Sequence, residues 1–419
     1  MNPAPMPSKP SRLRRRTATL LAASTIALSV ALAGCASATP AASSPSSSAS
    51  STTTDMSSSE TTTAETDTTA SSETTDAATT AETIASTTSA ADAFIATLTV
   101  EQHETLLYAY DDDTKTTSWS NFPVTFVERA GLNLADLTEE QRQAALTVLE
   151  SLLSDEAYAT VVGIMGGDQY LLENSSSTES SLGQYYIAFF GDPSDTSAWE
   201  VQFGGHHLGI NATLDGSTDE VTFAPTHLGV QPAVYTDADG NTVQPFDGIY
   251  TDAFAFFDSL TAEQQATLTS GDVSMCAPGD TCDFSTGSGL TGADLTDEQK
   301  QLLLALISNW AGMADEQSTA TALTEIEATL DDTVIAWSGE TSYDMTTGDG
   351  ISFSISGPNV YIALQAQQGS AGADVDGVST SGWGHVHTIY RDPTNDYAGS
   401  VTQQAGSGMG GGPGGAPGE

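Results

Sequence analysis

Ala93-Phe-Ile-Ala-Thr-Leu-Thr-Val-Glu-Gln102 and Ala255-Phe-Phe-Asp-Ser-Leu-Thr-Ala-Glu-Gln264 are two versions of one pattern. Each is followed by a loop and then by a second matching segment. In the first copy this is Gly131-Leu-Asn-Leu-Ala-Asp-Leu-Thr-Glu-Glu-Gln141, and in the second Gly289-Leu-Thr-Gly-Ala-Asp-Leu-Thr-Asp-Glu-Gln299. Thr138 and Thr296 read as N-caps, because a threonine oxygen can accept a backbone N–H of the first turn. The acids that follow suit the positive end of the helix dipole. Behind them, Ala144, Leu146, Val148, Leu149, Leu152 and Leu153 give one helical apolar face, and Leu302, Leu303, Leu306 and Ile307 give another.

Working outward, β-rich runs follow in both copies: Tyr185-Tyr-Ile-Ala-Phe-Phe190 and Val360-Tyr-Ile-Ala-Leu364. A tryptophan and a glycine-histidine element come next. They read Trp199-Glu-Val-Gln-Phe-Gly-Gly-His-His-Leu-Gly-Ile-Asn211 and Gly382-Trp-Gly-His-Val-His-Thr-Ile-Tyr-Arg-Asp392. The fold class expected is α+β: a duplicated unit, a helix pair followed by a sheet, with the halves packed about a pseudo-two-fold. The first repeat is placed at 92–248 and the second at 249–405.

The ends of the chain have a different chemistry. Lys9, Arg12, Arg14, Arg15 and Arg16 precede an apolar stretch from Ala18 to Leu32, which is too short for a comfortable membrane span. It closes on Leu32-Ala33-Gly34-Cys35, which looks like the lipobox of bacterial lipoproteins. The expectation is a signal peptide over 1–34 and lipidation of Cys35, which makes the membrane a partner through the lipid anchor. The protein is then expected at the cell membrane, facing the extracellular side. An ordinary secretory signal with a chance cysteine is the rival reading. Residues 35–91 are dominated by Ser, Thr, Ala and acids, with too little apolar surface to offset the entropy of ordering. They are expected to form a disordered stalk with a composition that suits O-glycosylation. The Gly/Pro-rich stretch 406–419 is expected to be a structureless tail.

Charge excludes one class of partner. The chain has 10 Lys+Arg and 55 Asp+Glu. Five of the basic residues and none of the acids lie in 1–34, so the remainder carries five against 55, a net of −50. Such a field repels nucleic acid and anionic membrane surfaces. Cys276 and Cys282 enclose a Pro278-Gly279 turn and are expected to form a small disulfide loop outside the cytoplasm. A two-thiolate metal site is the weaker alternative.

The six histidines are His103, His206, His207, His227, His385 and His387. Four fall in the paired elements. In an extended strand His385 and His387 share a face, whereas only one of His206 and His207 can. The candidate metal ligands are His206, His207, His385 and His387, with His206 aligned to His385. Three imidazoles and an open position match a catalytic zinc site, although copper or iron also accepts imidazole. Gly204, Gly205 and Gly384 leave room for a ligand or a close backbone. His227 is a further candidate, and His103 is expected on the polar face of the first helix. Arg391 is a candidate guanidinium clamp for an anionic ligand, or else an internal partner of Asp392 or Asp396. Glu200 is a candidate base or ligand, or a solvent-facing strand residue. There is no nucleophile elbow, phosphate loop, dinucleotide fingerprint or His-Glu-x-x-His helix.

At Gly204-Gly-His-His-Leu208, and at His385-Val-His387 followed by Arg391-Asp-Pro-Thr-Asn-Asp-Tyr397, the chain resembles a bacterial family, domain of unknown function 3500. The likeness runs from about Asp92 to Gly399. It implies an exported protein of unestablished role and supplies no catalytic residues. Three functions remain in play: an extracytoplasmic metal-binding protein or metal-dependent hydrolase, a non-catalytic module for a small-molecule or cell-surface ligand, and a structural surface protein.

Overall fold

A computed structural model of the protein describes residues 78–403, except 270–272, 280–283 and 285–287. Cys35, Cys282, the signal peptide, most of the stalk and the tail lie outside the described residues. The first described helix, α1 (Thr80–Ile95), is closed by a capping box between Thr79 and Glu82. Residues 80–91, expected in the stalk, therefore belong to the folded core. Their buried side is made of Thr80, Thr83, Ile84, Thr87 and Ala91, mostly small residues, and it packs on α3.

The elements then run α2 (Val100–Leu106), β1 (Leu107–Tyr108), β2 (Leu132–Asn133), α3 (Glu139–Leu152), α4 (Asp155–Asn174), β3 (Tyr186–Phe190), β4 (Ala198–Gly204), β5 (Leu208–Asp215), β6 (Glu220–Thr222) and β7 (Thr226–Val230). After a hairpin of β8 (Tyr235–Thr236) and β9 (Thr242–Val243) come α5 (Asp247–Ser259), α6 (Ala262–Gln265), β10 (Leu290–Thr291), α7 (Asp297–Ala311) and α8 (Glu316–Glu327). The last strands are β11 (Val334–Gly339), β12 (Ile351–Ser356), β13 (Tyr361–Gln367) and β14 (Gly382–Arg391). The class is mixed α+β. No helix among the described residues is long and apolar enough to cross a membrane.

The quoted threonines do cap helices, and the glutamines do more than the sequence suggested. Thr99–Gln102, Thr138–Gln141, Thr261–Gln264 and Thr296–Gln299 are all capping boxes. The boxes are then joined in pairs. Gln141 Nε2 donates to Gln102 Oε1 at 2.9 Å, and Gln299 Nε2 donates to Gln264 Oε1 at 2.9 Å. Each inner glutamine also donates to a backbone carbonyl of the preceding turn, Thr97 or Ser259. These side chains are nearly buried, so the links satisfy polar atoms that burial would otherwise penalise.

One large mixed sheet carries the order β1-β3-β4-β5-β7-β14-β13-β12-β11-β10. Among the described strands, only β1 with β3 is parallel. Strands β3, β4, β5 and β7 form one antiparallel run, and β11, β12, β13 and β14 form another; the two join where β14 pairs with β7. Tyr186–Phe190 opens its run, whereas Tyr361–Gln367 is third in its own. The neighbour of β14 in the other run is β7, which carries His227, and His206 lies in the turn between β4 and β5.

Alternation along the strands sorts residues between two covered faces. On β4, Trp199, Val201 and Phe203 join the main apolar core with Phe94, Val148, Leu149 and Leu152 of the helices. Glu200 and Gln202 point the other way and are also buried. The segment around Lys115–Ser120 covers them: Lys115 Nζ meets Glu200 Oε2 at 3.1 Å, and Ser118 Oγ donates to Gln202 Oε1 at 2.6 Å. On β14, Thr388 faces the helices and accepts from Trp310 Nε1 at 2.9 Å. His385 and His387 therefore lie on the opposite face, two residues apart.

Candidate metal centre

Five of the six histidines are brought together. His385 and His387 share a face of β14 as expected. His227 lies on the adjacent β7, across from Ile389, and Gly229 lies directly across from His387. A Cβ on Gly229 would come within 3.2 Å of His227 Cε1, so the glycine makes room for the His227 ring. His206 and His207 differ from expectation. They sit in the tight turn between β4 and β5, not in an extended strand, so strand alternation does not apply. Both rings enter the cluster, stacked with centroids 4.2 Å apart. Gly205 N donates to Leu208 O at 2.8 Å to close that turn. A Cβ on Gly204 would come within 2.1 Å of Leu208 O, so the glycine serves close backbone approach, not ligand space.

The rings meet edge to face. Centroid separations are 5.1 Å for His385–His387, 5.2 Å for His207–His387, 5.6 Å for His207–His385 and 5.8 Å for His206–His387. Imidazoles bound through one nitrogen each to a tetrahedral ion, at about 2.0–2.1 Å, hold their centroids roughly 5.2 Å apart. His385 Nε2 and His387 Nε2 are 3.2 Å apart, close to the edge of about 3.3 Å that such a tetrahedron requires. Ligand nitrogens of His206, His207 and His387 all lie within 4.8 Å of one another.

The outer nitrogens are fixed by the fold. His207 Nδ1 lies 2.6 Å from Asp168 Oδ1, His385 Nδ1 lies 2.7 Å from the Gln368 carbonyl, and His227 Nδ1 lies 2.7 Å from the Thr388 carbonyl. These oxygens accept, so each Nδ1 carries the proton and each Nε2 presents a lone pair to the cluster. The same arrangement orients the histidine ligands of metal sites. Nε2 of His207 and His227 and Nδ1 of His206 and His387 are buried, with no hydrogen-bond partner among the described residues.

Burial sets the charge state. It pushes His207 and His227 down to about 3 and His385 to about 4, and holds His206 and His387 well below the usual histidine range. All five rings are thus neutral near pH 7, the state that coordinates metal. Burial pushes Asp168 up to about 6, against the pull of nearby His206 and of the Tyr185 hydroxyl, which donates to Oδ2 at 2.7 Å.

Asp168 was not legible as a site residue. It sits inside α4, and the helix approaches the cluster because its glycines have no side chains. A Cβ on Gly166 would lie 2.2 Å from the Tyr235 hydroxyl. Arg129 was also missed. Its buried guanidinium has no carboxylate partner among the described residues. Instead Nη2 donates to the carbonyls of Ser120, Phe122 and Gly205 at 2.8, 2.7 and 2.7 Å, pinning the turn that carries His206 and His207.

The remaining candidates stand apart. Arg391 is fully buried and paired with Asp396, through Nε at 2.9 Å and Nη2 at 2.7 Å, and it also donates to the Cys276 carbonyl. It fixes the turn after β14 and is an internal partner. Glu200 is neither solvent-facing nor in the cluster. It pairs with Lys115 and accepts from Thr213 Oγ1 at 3.2 Å. His103 is exposed on α2. Cys276 is disulfide-bonded. A cleft of about 160 Å³ elsewhere, between Tyr110, Asp215, Glu220, Glu325 and Tyr390, includes no histidine.

The model of a protein family described as "Protein of unknown function (DUF3500)" matches residues 80–399. No curated protein and no solved structure matches the chain.

Proposed function

We propose, for a chain that belongs to the DUF3500 family, that the buried histidine cluster is a transition-metal centre held by His206, His207, His385 and His387. One observation carries the reading: His207 and His385 have Nδ1 locked on Asp168 and Gln368, so that their Nε2 lone pairs converge on the other rings inside a shielded cluster. With Nδ1 of His207, His227 and His385 each donating outward, their unprotonated Nε2 atoms are left as buried acceptors that a cation can satisfy. An all-imidazole donor set suits zinc, copper or iron. No ring is more than 8% exposed, which limits any hydrolytic chemistry at a bound metal to small substrates. In this reading the core is a duplicated unit whose halves meet at β7 and β14. Cys35 anchors it by lipid to the extracellular side of the cell membrane.

The test is elemental mass spectrometry of the full chain purified without an affinity tag, beside a His385→Ala/His387→Ala double variant. Near-stoichiometric transition metal in the parent, and none in a variant that keeps its circular dichroism, supports the centre. A parent that stays metal-free after reconstitution with zinc, copper and iron overturns it. The cluster would then be a ligand-binding or structural device.

A further inference from the structure

His387 differs from His207, His227 and His385. In His207, His227 and His385 one nitrogen is committed to an oxygen acceptor, which leaves one donor each. Neither nitrogen of His387 faces a carboxylate or a carbonyl. Its Nε2 meets His385 Nε2 at 3.2 Å, and its Nδ1 is buried without a hydrogen-bond partner among the described residues. The ring is also central, making edge or tilted contacts with His206, His207, His227 and His385 at 5.8, 5.2, 5.2 and 5.1 Å.

The cluster offers Nδ1 of His206, Nε2 of His207, His227 and His385, and both nitrogens of His387. That is more than one four-coordinate ion takes, and two of the six are on opposite sides of a single ring. We infer that the cluster is a two-cation centre in which His387 is the shared ligand, with His385 on its Nε2 side and His227 on its Nδ1 side. His206 and His207 supply the remaining donors. The inference rests on the metal-centre reading above and extends it to His227 and to a second ion. To ligate through both nitrogens, His387 gives up its ring proton to solvent and becomes an imidazolate, a charge that two divalent cations stabilise. Asp168, hydrogen-bonded to His207, adds a second negative charge just outside the donors.

The experiment titrates the metal-free full chain with Cu²⁺, follows bound copper after dialysis, and records the paramagnetic resonance spectrum at each equivalent. Two equivalents are expected. The signal should grow through the first and fall through the second, as two Cu²⁺ ions couple across the shared ring. His227→Gln should halve the bound copper and restore a full single-ion signal. If His227→Gln unfolds, His385→Gln, on the other side of the bridge, carries the same test. One equivalent in the parent overturns the second ion and leaves the single centre standing. No bound copper overturns the two-cation centre, and the single centre falls with it when zinc and iron are not retained either. Two equivalents with additive, uncoupled signals, or two equivalents retained in His227→Gln, overturn the shared ligand.

Discussion

His207 Nδ1 and the Asp168 carboxylate stand 2.6 Å apart, both shielded from solvent, with the Tyr185 hydroxyl on the carboxylate's other oxygen. A helix and a β-turn thus cooperate to choose which nitrogen of His207 faces the cluster. Asp168→Asn keeps the shape but weakens the acceptor and can reverse the tautomer. Metal affinity, read by competition with a chromogenic chelator, should fall about 10- to 100-fold, with the thermal midpoint of the metal-free protein changed little. Unchanged affinity would mean that Asp168 only holds α4 in place.

Arg129 should matter for stability more than its distance from any acid implies. Truncating it to Met orphans the carbonyls of Ser120, Phe122 and Gly205, each at a cost of about 1–3 kcal/mol if buried and unmet by water. Arg129→Lys should rescue little, because a single ammonium cannot reproduce the guanidinium fork. Denaturant unfolding of both variants checks this, and a Lys variant as stable as the parent would refute the pinning role.

The metal-free protein should lose stability in acid. Each ring of the cluster is held below its unfolded value near 6.5 by burial, with the folded values for His207, His227 and His385 at about 3, 3 and 4. Below pH 6.5 the unfolded chain takes up protons that the folded chain refuses, so stability is complete above that pH and falls as pH drops toward 4. Asp168 acts in the opposite sense. Its folded value of about 6 lets the native state bind a proton first between pH 6 and 4, offsetting about one ring. Five rings outnumber one carboxyl, so the net slope is a loss. A denaturation midpoint that is flat from pH 7 to 4.5 would contradict the buried, neutral cluster.

The residues themselves explain what could be read from the chain alone. The Thr-x-x-Gln boxes and the spacing of His385 and His387 were legible because helix caps and strand alternation are local rules. His206 and His207 were both legible as candidates, but alternation put only one of them on the shared face, and a tight turn frees adjacent side chains from that rule. His227 was underrated since its partner in the site is set by the β7–β14 pairing, which joins residues about 160 positions apart. Asp168 had no local signal beyond an acid beside Gly166 and Gly167. The helix at Thr80–Ile95 was hidden by a buried side made largely of threonine and alanine, which reads as stalk.

The seam between β7 and β14 has a consequence for the order of events in a maturing chain. His206, His207 and His227 come from one run of strands, and His385 and His387 from the last strand of the other. Until β14 is inserted between β7 and β13, His385 and His387 do not face the other three rings. If the cluster is the proposed metal centre, its full donor set exists only once the sheet has closed, and metal uptake would report that closure. A chain cut before Gly382 would keep three of the five rings and most of its core, yet lose the place where they converge.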